Sequence, residues 1–456
     1  MKFSGANMIV TVSINPQEST KNEFAIVTLN SGTTGLSSSI DIDFSMLLDK
    51  CDLPPKPSID FLFISTVVYC IDKLVPRSLS IDNWTRQLQV EIPVSNPELW
   101  NQNADSFNSA ISFLTGDLWK ISYRNLDCSL IRPKRNRYGL FIKETMPITI
   151  SLFSGGLDSL IGAIDLLESN PAATIKFVGH YDPAVGGPKS DQKNLIDELR
   201  GHYRDRVKFV QVRAGQTPSG DEVSFRSRSI LFIGLGIYVA STAGENINLI
   251  MPENGNIALN VPLTPSRRGS CSTRTAHPFF LTSINHVLQR VGIANRVLNP
   301  FEFKTKGECV EQCQNRELLE NIFNLSVSCA KAHHRKTWIR RSARQCGRCM
   351  PCIYRRAALN KVGLDTEVYG RDICSGEVDL DSSKGLVDDF RAYASLMSKN
   401  PTGKEISDLL LANGNLDISK LPDYGNVVFR ALDEVRSLLR DKATHRVQRQ
   451  ASTYRN

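Results

Sequence analysis

The residues best placed to do chemistry lie together in Ser154-Gly155-Gly156-Leu157-Asp158-Ser159. A β-branched run, Ile148-Thr149-Ile150, precedes them, and Leu157, Leu160, Ile161 and Ile164 follow at helical spacing, so strand, tight turn and helix are expected. The two glycines let the backbone turn sharply and approach a ligand, and the helix that follows points its unpaired N–H groups at an anion. Ser154 and Ser159 add hydroxyl donors, and Asp158 can hold a magnesium ion that bridges phosphate oxygens. The loop lacks the Gly-Lys-Ser/Thr ending of a Walker A loop, so backbone and hydroxyls must do most of the holding. At ordinary usages of about 7% for Ser and Gly and about 5% for Asp, S-G-G-x-D-S arises by chance at roughly one in 10⁶ start positions. A plain glycine turn is therefore the weaker explanation.

A second constellation is Cys329, Cys346, Cys349 and Cys352, spaced C-x16-C-x2-C-x2-C. Four soft thiolates, three of them within seven residues, suit one tetrahedral Zn²⁺ with no open position; an iron–sulfur cluster and free thiols are the alternatives. His333 and His334 fall inside the loop and could replace a cysteine, whereas Cys309 and Cys313 share a helix face and are expected to be buried. With eleven cysteines in 456 residues and no secretory leader pattern, metal ligation is favoured over a disulfide framework, and a cytoplasmic protein is expected. No run approaches 18 apolar residues, so no membrane partner is expected.

The net charge of +8 is local. Ten Lys or Arg and no acid lie between Glu320 and Asp365, which leaves about −2 elsewhere. Four thiolates on Zn²⁺ offset a few of these cations, and the remainder suggest a triphosphate or an acidic partner ahead of nucleic acid, since only Trp338 and Tyr354 interrupt the run.

These groups need a scaffold, and residues 146–362 supply one by alternation. Strands are expected at Ile175–His180, Val207–Val212 and Ile247–Met251, and helices at Asp191–Gly201 and Phe225–Ala243. This is the pattern of an α/β, doubly wound parallel sheet, whose ligands bind beyond the carboxyl ends of the strands. His180 and Glu253-Asn254-Gly255 stand at such ends. The polar stretch 253–277, which carries Arg274, is long enough for a substrate lid or purine-recognition loop.

Residues 1–140 suggest an α+β domain of their own, with strands at Met8–Ser13, Glu23–Thr28, Phe61–Tyr69, Gln87–Ile92 and Leu118–Tyr123 and a helix at Ala104–Leu114. Leu53–Pro57 is expected to be a loop, Arg132–Arg137 a linker, and Trp84, Trp100 and Trp119 core or interface anchors. Residues 363–456 suggest a helical extension, Val387–Met397, Glu405–Ala412 and Val427–Leu439, with a frayed or partner-binding basic tail from Arg440.

The loop Ser154–Ser159 after a strand resembles the pyrophosphatase loop (PP-loop) of N-type ATP pyrophosphatases, which split ATP to AMP and pyrophosphate. Together with Phe225-Arg226-Ser227-Arg228-Ser229, Phe303-Lys304-Thr305-Lys306-Gly307-Glu308 and the four cysteines, residues 146–362 are similar to the 7-cyano-7-deazaguanine synthase (QueC) family. The long flanking segments are closest to the QueC-like proteins of the Qat anti-phage defence system.

The resemblance implies an adenine nucleotide alpha hydrolase fold binding ATP, Mg²⁺ and Zn²⁺. ATP would lie on Ser154, Gly155, Gly156, Leu157, Asp158, Ser159, His180 and Arg226. Asp158, Arg228 and Lys306 would assist the chemistry, and Glu253, Asn254, Gly255 and Arg274 would bind a deazaguanine-type substrate. Its carboxylate would be adenylated and passed to ammonia, giving amide and nitrile; the extensions and the basic stretch, which depart from the family, suggest instead an amine of a partner protein from a defence operon. The alternatives are adenylation of an RNA base for thiolation or amination, and a nucleotide-binding scaffold without turnover.

Overall fold

The computed structural model describes residues 7–15, 23–48, 51–131, 148–222, 224, 226–263, 274–378 and 388–453. The linker expected at 132–137 lies outside them. Among the described residues ten strands form one sheet: β1 (Met8–Asn15), β2 (Ile26–Ser31), β3 (Ser37–Ile42), β4 (Gln87–Val94), β5 (Leu118–Asn125), β6 (Ile148–Leu152), β7 (Thr174–Tyr181), β8 (Val207–Thr217), β9 (Leu249–Ile250) and β10 (Val297–Leu298). Their order is β10-β9-β6-β7-β8-β3-β2-β1-β4-β5. Six ladders are parallel and the three linking β8, β3, β2 and β1 are antiparallel.

The half β10-β9-β6-β7-β8 is wholly parallel, as alternating strands and helices require. Strand alternation divides its side chains between two layers. Phe177 packs with the helices Leu157–Ser169 and Pro188–Tyr203, whereas Val178 packs with Arg228–Ala243 on the opposite face. Chain order reverses between β6 and β9, so the Ser154–Ser159 turn and Glu253 leave the sheet at the switch point where such folds bind ligands.

The N-terminal segment does not close a sheet of its own. Ile42 of β3 lies opposite Ala214 of β8, and one apolar cluster runs through both parts. Phe61–Tyr69, which the β-branched and aromatic content suggests as a strand, lies inside the helix Lys56–Leu74. This helix is buried on nearly every side, so it lacks the apolar stripe that would betray a helix. It starts within the expected Leu53–Pro57 loop. It lies against Arg228–Ala243 so closely that a Cβ on Gly234 would sit 2.9 Å from Ser65. The strand expected at Glu23–Thr28 is displaced to Ile26–Ser31, and Ser37–Ile42 escapes notice because serine and aspartate hide its alternation.

A buried charge cluster fastens the segment. Arg86, 0% exposed, holds Asp117 through two hydrogen bonds of 3.0 and 2.7 Å and also pairs with Asp72, whose other oxygen accepts from Ser224 and Ser227. Burial opposes ionisation of Asp72, yet the Arg86 charge and these hydrogen bonds bring its pKa down to about 2. Arg86→Met leaves Asp72 and Asp117 to share Arg77, which lies 3.3 and 2.8 Å from them, and is expected to cost on the order of 3 kcal/mol, measurable as a lower urea midpoint.

The C-terminal helices Asp388–Ser398, Gly403–Leu411 and Leu421–Lys442 enclose a second core with Met350–Lys361. The tail from Arg440 is not frayed as far as it is described: His445–Thr453 is helical, with Val447 and Ala451 buried. No described helix is long and apolar enough to cross a membrane.

Candidate active site and four-cysteine metal centre

A cleft of about 790 Å³ opens at the carboxyl ends of the parallel strands. Its floor is the turn after β6. Gly155 takes φ +84°, a conformation side chains rarely adopt, and accepts a hydrogen bond from Val327 N–H at 2.9 Å. Gly156 stands at the N-cap of the Leu157–Ser169 helix and has no side chain of its own to cap it. The Gly156 N–H donates to Ser154 Oγ at 3.2 Å and the Leu157 N–H to Ser328 Oγ at 3.2 Å, so hydroxyls satisfy the groups expected to meet an anion. Ser154 and Ser159 join at 3.2 Å. All but Gly155, which is turned toward Asp191 and Gln192, line the cleft.

Asp158 is the electrostatic centre. Lys306 Nζ donates to its Oδ1 at 2.6 Å and Asn254 Nδ2 to its Oδ2 at 2.7 Å. Lys306 reaches it from the start of a helix capped by Thr305 and Glu308, and that loop is braced by Glu434 and Arg430 of the C-terminal extension. Burial opposes ionisation of Asp158, but the Lys306 ammonium and the surrounding hydrogen bonds keep its carboxyl below the usual range. Glu253 goes the other way: burial, then the Asp158 charge, raise its carboxyl well above the usual range. Two carboxylates on one cleft wall are a donor set a magnesium ion can use, in competition with Lys306 and with protons.

Arg228 opens the Arg228–Ala243 helix and lines the cleft. Among the described residues it has no ion-pair partner; its Nε donates to His180 Nδ1 at 3.4 Å and its Nη2 to His180 O at 3.3 Å. His180 is itself fully buried, with its Nε2–H donating to Ala214 O at 2.9 Å, so it orients Arg228 and does not line the cleft.

The remaining expected ligand contacts lie elsewhere. Arg226 stacks on Trp84 at 4.2 Å and donates to Thr115 O at 2.9 Å, tying the N-terminal segment to the core. Arg274 does the same at Phe113, with a 2.7 Å bond to its carbonyl. Both are cations held by an aromatic face and a backbone carbonyl from distant segments, which their sequence neighbourhood does not reveal. Gly255 donates to Lys304 O, and Asn254 caps the short helix Gly255–Leu259, so these two position Asp158 and the Lys306 loop from behind. Residues 264–273 of the expected lid, and Phe225, lie outside the described residues. Sequence reasoning missed Ser328, which carries no signal apart from its proximity to Cys329.

Cys329, Cys346, Cys349 and Cys352 gather all four Sγ atoms within 4.8 Å of one another. The separations Cys329–Cys349 of 4.0 Å and Cys346–Cys352 of 3.7 Å match the roughly 3.8 Å edge of a tetrahedron with 2.3 Å metal–sulfur bonds. Backbone N–H groups of Lys331 and Cys346 point at Cys329 Sγ, and those of Arg348 and Cys349 at Cys346 Sγ, each at 3.3–3.4 Å, which favours thiolates. The donor set fits a metal such as zinc. His334 is exposed and takes no part; the His333 side chain lies outside the described residues. Cys329 and its neighbours Ser328 and Ala330 form one wall of the cleft, so the metal centre is a buttress of the site. Cys309 and Cys313 are buried.

Most of the basic run is spent internally. Arg355 pairs with Glu367, Arg356 with Asp365 and Asp372, Arg340 with Glu377, Arg344 with Asp191, Lys361 with Glu311 and Glu434, and Lys331 with Asp389. Arg335 and Arg344 line the cleft mouth.

His180 and His277 are both pushed down to about 3, by burial first and then by Arg228 and Arg274 respectively. The fold therefore binds both imidazoles neutral, while the unfolded chain protonates them near the ordinary 6.5. Stability is complete above that value and falls as the pH drops toward 3; at pH 5 each histidine accounts for on the order of 2 kcal/mol of the loss. His277→Gln is expected to shrink the difference in urea midpoint between pH 7.5 and 5.

Searches of family models, curated proteins and solved structures found no match to this chain.

Proposed function

We propose that the chain is an ATP-dependent, AMP-forming carbon–nitrogen ligase built on a PP-loop fold. One observation carries this: the N-terminus of the Leu157–Ser169 helix, Lys306, Arg228 and the Asp158–Glu253 pair converge on one cleft at the switch point of a parallel sheet. No lysine ends the loop as in a Walker site; the cation comes instead from a distant segment, which suits holding pyrophosphate as a leaving group while the α-phosphorus is attacked.

In this account the first-turn N–H groups, Ser154 and Ser159 take the β- and γ-phosphates. A magnesium ion at Asp158 and Glu253 would neutralise charge on the departing pyrophosphate. Displaced from Asp158, Lys306 is free to meet the α-phosphate together with Arg228. A substrate carboxylate oxygen attacks the α-phosphorus, pyrophosphate leaves, and the acyl adenylate is consumed by an amine with release of AMP. No enzyme nucleophile is required.

The resemblance to the QueC family suggests 7-carboxy-7-deazaguanine as the carboxylate, and the flanking segments suggest the QueC-like proteins of the Qat defence system. Both extensions are built into the fold that holds Lys306 and Arg228, and such elaboration is unnecessary for ammonia. We infer that the acceptor is an amine of a partner protein, giving a nucleobase–protein amide. The internal pairing of the basic run weighs against a nucleic-acid track. Of the three candidate sulfur carriers, Cys271 lies outside the described residues; Cys309 and Cys313 are buried, and burial raises both thiols, Cys313 to about 12, which weighs against sulfur transfer by these two. Incubation with ATP, magnesium and the deazaguanine acid is expected to yield AMP and pyrophosphate. ADP and phosphate, or no turnover with any partner from the same operon, would overturn the proposal.

A further inference from the structure

The N-terminal helix Lys56–Leu74 reaches the cleft through one buried carboxylate. Asp182, just past the end of β7, is 5% exposed. Its Oδ2 accepts from Tyr69 Oη at 2.7 Å and pairs with Lys73 Nζ. Its Oδ1 accepts the Ala184 N–H at 2.9 Å, and its carbonyl accepts the Val185 N–H at 2.9 Å. That turn launches Val185, Gly186, Gly187 and Pro188, which line the cleft. The Tyr69 ring also stands edge-on to His180, at 5.8 Å and 85°, and His180 is the residue that receives the Arg228 guanidinium.

Asp182 lies two residues beyond His180, whose carbonyl Arg228 Nη2 already reaches at 3.3 Å, and its charge acts on Arg228. In the intact protein Lys73 neutralises it, so Arg228 stays without an ion-pair partner and faces the cleft. Without Lys73, Asp182 becomes a buried carboxylate whose next available cation is Arg228. The guanidinium would turn toward it and away from any ligand.

We propose that Tyr69 and Lys73 are positioning residues of the cleft: by occupying Asp182 they keep Arg228 available to an anionic ligand and fix the Val185–Pro188 loop. The N-terminal segment thereby completes the site. This rests on Arg228 meeting a ligand phosphate, as proposed above, but the geometry can be tested without that ligand.

The test uses the full chain as wild type, Lys73→Met, Asp182→Asn, Tyr69→Phe and the double variant Lys73→Met/Asp182→Asn. Two readouts are taken: the rate of phenylglyoxal modification at Arg228, followed by peptide mass spectrometry, and ATP affinity by equilibrium dialysis. Lys73→Met should slow labelling about fivefold and weaken ATP about tenfold, the scale of one charge-assisted hydrogen bond. Removing the Asp182 charge as well should return both to within about twofold of wild type. Tyr69→Phe, which keeps every charge, should slow labelling about two- to threefold.

An unchanged Lys73→Met, or a double variant no better than the single one, would overturn the proposal, since a merely structural lysine is not rescued by deleting its partner. If Lys73→Met fails to fold, unchanged labelling in Tyr69→Phe overturns it instead. A wild type that ignores ATP while labelling follows the predicted order would refute the ATP assignment and leave the positioning role standing.

Discussion

Asp158→Asn is expected to leave a folded protein that forms AMP about 10²–10³-fold more slowly, the usual consequence of removing one preorganised charge from a transition state. The fold survives because the site holds a spare charge. Burial and the neighbouring Asp158 carboxylate are what raise the Glu253 carboxyl well above its usual range. Once Asp158 is neutral, Glu253 can ionise and keep the buried Lys306 ammonium compensated. On the proposed mechanism activity would not survive, because a magnesium ion would lose one of its two carboxylates and Lys306 would stay drawn to the other. A matched thermal transition with the rate lost is the expected pair of results. Lys306→Met should also lose rate, but by a different route: with the ammonium gone, burial raises the Asp158 carboxyl and metal binding shifts to higher pH. Comparing the magnesium dependence of the two variants at several pH values separates the roles.

Replacing Cys346 or Cys349 by alanine is expected to have the largest effect on stability of any single change. Apparent binding energies of structural zinc in isolated fingers are about 10–16 kcal/mol, and a fraction of that exceeds the whole stability of an ordinary domain. Both thiols are essentially inaccessible, so the loss is not relieved by water. One metal ion per wild-type chain is expected by elemental analysis and none in the variant. The variant should expose Trp338, which is buried beside the cysteines, and lose ATP affinity because Ser328, Cys329 and Ala330 wall the cleft. Chelation of the wild-type protein at mildly acidic pH, where thiolates compete with protons, should reproduce both effects.

The parts of this site visible in the sequence are those whose chemistry is local. A Gly-Gly turn between a β-branched run and an apolar helix dictates the cradle within twelve residues, and three cysteines in seven leave few choices for a metal. Lys306 was legible as a cation after a short strand, though not its bond to Asp158 from 148 residues away. Arg226 and Arg274 show the limit. As residue types they suit phosphates, and only the fold reveals that Trp84, Phe113 and two backbone carbonyls already occupy them.

The basic run misled for a related reason. Acids that neutralise it, Asp365, Glu367, Asp372 and Glu377, lie at or just past its end and fold back on it. The Lys56–Leu74 helix was hidden because burial on nearly all sides erases periodicity. Its contribution through Tyr69 and Lys73 was invisible, since an aspartate 109 residues beyond Lys73 gives those side chains their meaning.

The central claim is that a carboxylate oxygen attacks the α-phosphorus of ATP in the cleft above Asp158. The most direct measurement uses 7-carboxy-7-deazaguanine labelled with ¹⁸O in its carboxyl group, incubated with the protein, ATP, magnesium and its operon partners, followed by mass analysis of the nucleotide. One ¹⁸O atom in the AMP phosphate is the predicted result. AMP without label, or label confined to inorganic phosphate beside ADP, would contradict it.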